Sequence, residues 1–361
     1  MPHLIAPSPH LTGMARRIAF YGLSSELRRI AGRLSGSWEL YFVDEVLCAA
    51  YRATDVGRVP QPDSLTPMIS LEEAVSSSSE VVFAPRYRSI EDAEARLQEI
   101  RSHLEVLLPF LKGKTLVNAL PVGRGENSQM LEFMSARMGE PPGYIYAPVG
   151  PGGSIRYLGA RDEDVPEWLL RLADGEVLGV EEAEAAHIDG VLSSMMPALV
   201  RGVVATGPPV GYLRDAFSGI LESFLVGANA DPGSSAYSVY TLVRRTFDEY
   251  LRRLTSSLKD AIRESGMKIS RARIAVLWTP DEDSARGEEL WAFERVKEAL
   301  TSAFVDVAFV RSDRPLQLER RDVVLVGTSA DEEALSRRRF EGRLVARMLY
   351  PRPEIARVQQ R

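Results

Sequence analysis

The chain contains 361 residues, of which 45% are hydrophobic and 26% are charged, and its formal net charge is -6. This length allows roughly two or three domains with substantial hydrophobic cores. The excess of acidic residues argues against nucleic acid as the main partner, because phosphate binding relies on concentrated positive charge. The only cysteine, Cys48, excludes an intramolecular disulfide and a thiolate metal cluster. Its apolar neighbours predict a buried structural thiol.

Neither a membrane segment nor a metal site is predicted. No apolar run approaches the roughly 18 to 20 residues that a membrane-spanning helix needs. Residues 1–15 lack the basic start and the sustained apolar segment of a signal peptide, so we expect a flexible leader and a cytoplasmic protein. The histidines are dispersed, and no pair has the spacing of metal ligands. His103 and His187 lie in helix-like, charge-rich surroundings, which predicts exposed or half-buried rings.

Residues 16–177 alternate strand-like and helix-like patterns and begin with the layout of a dinucleotide-binding turn. Arg17–Gly22 is predicted to be a buried strand, a helix is expected to begin near Ser24, and Trp38–Asp44 reads as a second strand. Further short apolar segments are typical of strands buried on both faces: Glu80–Ala84, Thr115–Asn118 and Gly143–Ala147. The alternation predicts an α/β, Rossmann-like domain with a parallel sheet covered by helices.

The glycine pattern of that turn is incomplete. G-x-G-x-x-G is reduced to Gly22-x-Ser24-x-x-Leu27, so a Cβ lies where a phosphate would approach and a leucine at the helix–strand contact. Asp44, about 20 residues beyond the turn, is either the acid that accepts a hydrogen bond from the ribose of NAD or an acid that ends the strand. The sequence therefore favours the fold more strongly than it favours the cofactor.

A second turn offers backbone amides to a phosphate. Leu120, Val122 and Gly123 follow the predicted strand Thr115–Asn118. With Gly22, Ser24 and Asp44, these residues are the candidates for binding NAD. The alternative for this loop is an ordinary connection between a strand and a helix.

Residues 178–268 contain no convincing strand and predict an all-helical middle domain. Helices are expected over residues 181–199, 212–228 and 237–264. The last keeps its helical apolar period over nearly 30 residues, which is typical of a central strut or dimer interface, or of one long core helix.

Residues 269–361 form a second, smaller α/β pattern. The predicted elements are a strand at Arg273–Leu277, a helix over residues 288–303, strands at Asp306–Val310 and Arg321–Thr328, and a helix over residues 331–339.

The layout resembles the UDP-glucose/GDP-mannose dehydrogenase family. Ser70–Val75 followed by Glu80–Pro85 is similar to the family's "LEEAV…adviiiavpTP" stretch, and Leu120–Gly123 is similar to its "STvpPGT" loop. Pro280–Arg286 resembles "KPdtDDtRES", and Asp322–Thr328 resembles "DavvvaT". The resemblance implies an N-terminal Rossmann domain, a helical middle that dimerises, a C-terminal Rossmann-like domain, and NAD and a nucleotide sugar as ligands.

This sequence departs from the family at the residues that perform the reaction. The family oxidises a sugar alcohol to an acid through a thioester on a cysteine, which needs an activated thiolate. No cysteine follows the middle helices here. Other residues stand where the resemblance implies functional groups: Val149 for an acid, Arg214 and Ser218 for a lysine and an asparagine, Arg86 and Ala119 for threonines, and Thr279 for a lysine.

Arginines at two positions are candidates for binding the phosphates of a sugar nucleotide. A guanidinium group binds two phosphate oxygens at once, and Arg214 and Arg286 lie where the resemblance implies substrate. For Arg286, an ion pair with Asp281 or Asp283 is the alternative.

Three functions follow from these observations. The first is a protein without the parental UDP-sugar 6-dehydrogenase activity, retained for nucleotide or sugar-nucleotide binding or for assembly. Its expected partner is a second copy or an active paralogue, bound through the middle helices. The second is an active NAD-dependent oxidoreductase that acts on a nucleotide sugar or related alcohol by altered chemistry. The third is a structural homodimer without a ligand.

Overall fold

The computed structural model describes residues 16–34, 38–53, 68–87, 92–150, 153–162, 164–204, 208–214, 233–280, 288–312, 318–337 and 340–358. The expected leader at residues 1–15, most of the helix predicted for residues 212–228, and Arg286 lie outside these ranges.

The N-terminal section is built on a nine-stranded sheet of order β4-β3-β2-β1-β5-β6-β7-β8-β9. Five neighbouring strands, β2, β1, β5, β6 and β7, are parallel, which confirms the predicted Rossmann-like core. The strands are β1 (Arg16–Tyr21), β2 (Trp38–Asp44), β3 (Ala49–Ala53), β4 (Met68–Ser70), β5 (Glu80–Phe83), β6 (Thr115–Asn118), β7 (Gly143–Tyr146), β8 (Leu158–Ala160) and β9 (Val177–Gly179).

Helices connect these strands and share one buried apolar cluster with them. They are α1 (Ser25–Arg33), α2 (Leu71–Ser76), α3 (Ala93–Leu107), α4 (Glu126–Met138), α5 (Glu167–Leu172) and α6 (Val180–Val204). A short 3-10 helix, Leu108–Phe110, follows α3. Because α6 begins immediately after β9, its first turns pack on the N-terminal sheet.

Antiparallel strands extend this sheet at both edges. β3 and β4 form an antiparallel extension beside β2, and β8 pairs antiparallel with β7. The prediction that Cys48 is buried is wrong, because it lies exposed in the turn between β2 and β3 with φ of 51°. Its neighbours Val46 and Leu47 are exposed as well, so the apolar run is the tip of a hairpin.

A 30-residue helix, α7 (Ser235–Glu264), dominates the described part of the middle section. Its inward face includes Val243, Phe247, Leu254 and Leu258, all fully buried in a cluster shared with the C-terminal sheet. The helix therefore forms one layer of the C-terminal core. Before it, β10 (Gly211–Tyr212) occupies the predicted start of a helix and pairs antiparallel with a C-terminal strand.

The C-terminal section is a five-stranded sheet of order β12-β11-β13-β14-β16, parallel except for β16. Its elements are β11 (Arg273–Leu277), α8 (Glu288–Ala303), β12 (Asp306–Val310), β13 (Val323–Val326), α9 (Ser329–Ser336), β14 (Leu344–Arg347), β15 (Leu349–Tyr350) and β16 (Glu354–Arg357). β15 is the partner of β10. A 3-10 helix, Ile269–Arg271, precedes β11. The predicted second Rossmann-like sheet is confirmed. Within the described ranges, no helix has the length and apolarity to cross a bilayer.

Candidate functional site

The crevice of a doubly wound sheet lies where strand order reverses, at the carboxyl ends of neighbouring strands. Here β1 lies between β2 and β5, and the chain leaves β1 through Gly22, Leu23 and Ser24 before α1 begins. This turn is therefore the structural equivalent of a dinucleotide-binding turn.

Gly22 is required by the packing of the sheet. Its φ is 122°, and its N–H donates to the carbonyl of Val43 at 3.0 Å. A Cβ on Gly22 would collide with the backbone carbonyl of Ala84, at the end of β5. This glycine is thus accounted for by backbone approach alone, whether or not a ligand binds.

Ser24 and Leu27 fill the positions that glycines hold in the complete pattern. Ser24 is fully buried and caps α1, because its Oγ accepts the N–H of Leu27 at 3.3 Å. Leu27 is also fully buried and belongs to the N-terminal core. Both side chains therefore contribute to the fold at the point where a phosphate would approach.

Asp44 ends β2 and holds the turn that follows. Its Oδ1 accepts the N–H groups of Val46 at 2.8 Å and Leu47 at 2.9 Å. This geometry is that of the capping alternative, in which the carboxylate satisfies backbone donors of its own turn.

Glu45, a residue that the sequence did not single out, places its carboxylate in the crevice. One oxygen accepts the N–H of Leu23 at 3.1 Å, and the other accepts Nε of Arg86 at 2.6 Å. The Glu45 side chain is 2% exposed and that of Arg86 is 24% exposed. The amide of the dinucleotide-type turn is thus already bonded to an anion of the chain itself.

In the second candidate turn, the backbone amides are likewise bonded to acceptors of the protein. Leu120 donates its N–H to Oδ1 of Asn118 at 3.2 Å, and Val122 donates to the hydroxyl of Tyr146 at 3.4 Å. The N–H of Gly123 donates to Glu126 at 2.8 Å. Every candidate amide of this loop therefore has an acceptor within the protein.

Glu126 and its neighbours form a buried ion pair. Its other oxygen pairs with Nη2 of Arg96, and both side chains are fully buried. Removal of one partner from such a pair strongly destabilises the fold, because the other charge stays buried without a counter-charge. The start of α4 is therefore fixed by charges that belong to the fold.

Glu184, on α6, supplies a further carboxylate at the start of α4. It accepts the N–H of Gly125 at 2.5 Å, and the backbone N–H and side-chain amide of Asn127 at 3.3 and 2.8 Å. Burial raises the pKa of Glu184 above its usual range.

Two histidines line the same half of the molecule. The prediction for His187 is wrong, because it is buried with Nδ1 2.8 Å from the hydroxyl of Tyr146. That contact arises because α6 packs across the end of β7, which the helical pattern alone does not indicate. His103 is half-buried as predicted, 3.3 Å from the hydroxyl of Tyr21, and burial lowers its pKa.

Arg214, the candidate for a substrate phosphate, is paired within the chain. Its Nε lies 3.0 Å from Glu289, on α8. Arg286 lies outside the described residues. Among the residues that the structure describes, no group of three or more histidine, cysteine, aspartate or glutamate side chains is placed to hold a metal ion.

The carboxylates that matter here were missed at the sequence level. The available signals were Glu45 directly after the acid that ends β2, and Glu126, an acid in the first turn of the helix that follows Gly123. Glu184 and Glu289 carried no comparable signal, because their contacts join segments distant in sequence.

Comparison with solved structures finds the same overall fold in nucleotide-sugar dehydrogenases. A UDP-D-ManNAc dehydrogenase from Pyrococcus horikoshii has a TM-score of 0.61 at 13% identity, with 92% of this chain and 95% of that chain covered. A UDP-glucose dehydrogenase from Pyrobaculum islandicum has a TM-score of 0.58 at 15% identity, covering 96% of each.

An NDP-N-acetyl-D-galactosaminuronic acid dehydrogenase from Methanosarcina mazei Go1 is also similar, with a TM-score of 0.54 at 13% identity over 88% of this chain and 86% of that chain. No protein-family model matches the sequence, and no curated protein matches it. The chain thus has the fold of nucleotide-sugar dehydrogenases at low sequence identity.

Proposed function

We propose that this chain is a divergent nucleotide-sugar dehydrogenase-like protein that lacks the parental UDP-sugar 6-dehydrogenase activity and is retained for assembly. The observation that carries the proposal is the carboxylate of Glu45, which holds the Leu23 amide and the Arg86 guanidinium. A dinucleotide phosphate needs such donors at this turn.

The cost of displacing Glu45 supports the proposal. A hydrogen bond to a charged group contributes about 1.5 to 3 kcal/mol, and a buried carboxylate left beside an incoming phosphate adds repulsion between like charges. The same reasoning applies at Gly123 with Glu126, and at Gly125 with Glu184. The amides of Leu23, Gly123 and Gly125 are therefore already bonded to carboxylates that a phosphate would have to displace.

The groups for the chemical step are also missing. Cys48 is the only cysteine, and it lies on the exposed hairpin between β2 and β3. Val149, which stands where the resemblance implies an acid, is buried and apolar. Oxidation through a thioester has neither its nucleophile nor that acid in this chain.

A face of α6 supports a role in assembly. Aliphatic side chains with the spacing of one helix face, i, i+4, i+7 and i+8, are exposed on its last turns: Met196, Val200, Val203 and Val204. Contiguous exposed apolar residues are typical of protein interfaces. We assign this face to a second copy of the chain, with an active paralogue as the other candidate partner.

The proposal is tested by thermal unfolding of the purified protein with and without NAD, NADH, NADP and UDP-glucose. A ligand at 100 times its Kd stabilises a protein by about 2.7 kcal/mol, which is readily measured. We expect no stabilisation at millimolar concentration of any of these compounds. Stabilisation by NAD together with NADH formation from a nucleotide sugar would instead establish the alternative, an active NAD-dependent oxidoreductase.

A further inference from the structure

The Glu45 carboxylate behaves as an internal ligand. It bridges two donors that come from different segments, the Leu23 amide after β1 and the Arg86 guanidinium after β5. These segments leave adjacent strands at the same edge of the sheet. With 2% of its side chain exposed, Glu45 is enclosed as a bound anion would be.

The two donors suit a phosphate group as well as a carboxylate. A backbone N–H beside a helix start and a guanidinium group are common donors to phosphate oxygens. Leu23 immediately precedes Ser24, the capping residue of α1, so its amide lies beside the beginning of a helix. The pair therefore keeps the chemistry of an anion site while a side chain of the protein occupies it.

The turn that carries Glu45 is held by hydrogen bonds that do not involve the Glu45 side chain. Glu45 begins the turn whose next residues, Val46, Leu47 and Cys48, are exposed. Cys48 has a left-handed backbone, and the turn is held by the Asp44 carboxylate rather than by Glu45. Loss of the Glu45 side chain thus removes the internal anion and leaves the turn's own hydrogen bonds in place.

We infer that Glu45 is an autoinhibitory ligand that keeps a diphosphate-type anion site closed at the turn between β1 and α1. This inference rests on the proposed function, in which the wild-type chain does not bind a dinucleotide. It adds that the Glu45 carboxylate holds two donors of that site, and that the Leu23 amide and the Arg86 guanidinium bind an anion once this carboxylate is removed. The ligand class is a diphosphate, free or as part of a nucleotide.

The test compares inorganic pyrophosphate binding by calorimetry in wild type, Glu45→Ala, Glu45→Gln and the double variant Glu45→Ala/Arg86→Ala. We expect Glu45→Ala to bind pyrophosphate at least about tenfold more tightly than wild type. Glu45→Gln, which removes the charge and keeps an acceptor for Leu23, is expected to show a smaller gain. The double variant is expected to lose the gain, because the guanidinium is absent.

The outcomes separate the two proposals. If folded Glu45→Ala binds pyrophosphate no better than wild type, the autoinhibitory role is wrong and the proposed function stands. If wild type binds pyrophosphate and NAD as tightly as the variant does, both are contradicted. Should Glu45→Ala fail to fold, Glu45→Gln decides the question by the same comparison. A gain that persists in the double variant would also refute the assignment of Arg86 as the donor.

Discussion

At the scale of single residues, Gly22 shows how a motif residue serves the backbone. The sequence assigns it to cofactor binding, and the structure places it against the end of β5 with φ of 122°. The incomplete glycine pattern then has a physical explanation. At the positions of Ser24 and Leu27, glycine is required only when a ligand binds or when the helix packs more closely on the strand. At Gly22, the neighbouring strand itself requires glycine, because a Cβ there would collide with its backbone.

Substitution of Gly22 by alanine is expected to destabilise the protein by about 2 to 4 kcal/mol, from left-handed strain together with the collision at Ala84. Gly32→Ala is the matched control, because Gly32 is an exposed residue of α1 and a Cβ there meets nothing within 4 Å. That change is expected to stabilise by about 0.5 to 1 kcal/mol through helix propensity. Urea unfolding of both variants measures the difference. Equal stabilities for the two would contradict the role assigned to Gly22.

At the scale of elements, the short apolar strands were predictable and the antiparallel strands at the sheet edges were not. Thr115–Asn118 and Arg273–Leu277 occur with the predicted bounds, because each is an apolar run between two parallel neighbours. β3 contains three alanines and pairs antiparallel, so it lacks the β-branched pattern that indicates a strand. The location of the site followed from the strand order. Its occupation by Glu45 did not, because the Glu45–Arg86 contact joins residues 41 apart in sequence.

One face of the long helix α7 packs on the C-terminal core, as expected for one long core helix. Leu254 is fully buried against the C-terminal core, whereas Leu242 on the same helix is 37% exposed. Leu254→Ala is expected to cost about 2 to 5 kcal/mol, since it removes buried methyl groups and leaves a cavity. Leu242→Ala is expected to cost under about 1 kcal/mol. Chemical denaturation tests both, and a similar cost for both would argue that α7 is instead a strut packed through its outer face.

At the scale of the whole molecule, helices connect the two sheets and contribute side chains to both hydrophobic cores. One of these helices, α6, also exposes an apolar face. α6 begins on the N-terminal sheet, and its later residue Leu199 belongs to the C-terminal cluster. Gly202 lies inward, where a Cβ would collide with the hydroxyl of Tyr350. The inward side of α6 is thus fixed by the core, and Val200 and Val203 are left on its outer side. An assembly role then requires that this outer side be covered in solution.

The molecular mass in solution tests that requirement. We expect the wild-type protein to form a dimer, because burying the α6 face removes apolar area from water. Its mass, measured by light scattering after size-exclusion chromatography, is then twice the 40.0 kDa of one chain. Val200→Asp places a charge in the middle of that face, where 52% of the side chain is exposed, and is expected to shift the protein toward monomer. Val305→Asp is the matched control, since Val305 is 82% exposed just before β12 and should leave the dimer intact.

A wild-type protein that is monomeric both at high concentration and after 100-fold dilution would contradict assembly with a second copy of the chain, whatever the variants do. A Val200→Asp protein that remains dimeric would move the interface away from α6. If wild type is monomeric alone but forms a stable complex with an active paralogue, and Val200→Asp abolishes that complex, the same face serves a different partner. The α6 surface would then be the part of this dehydrogenase fold that has kept a function while the crevice is closed by its own carboxylates.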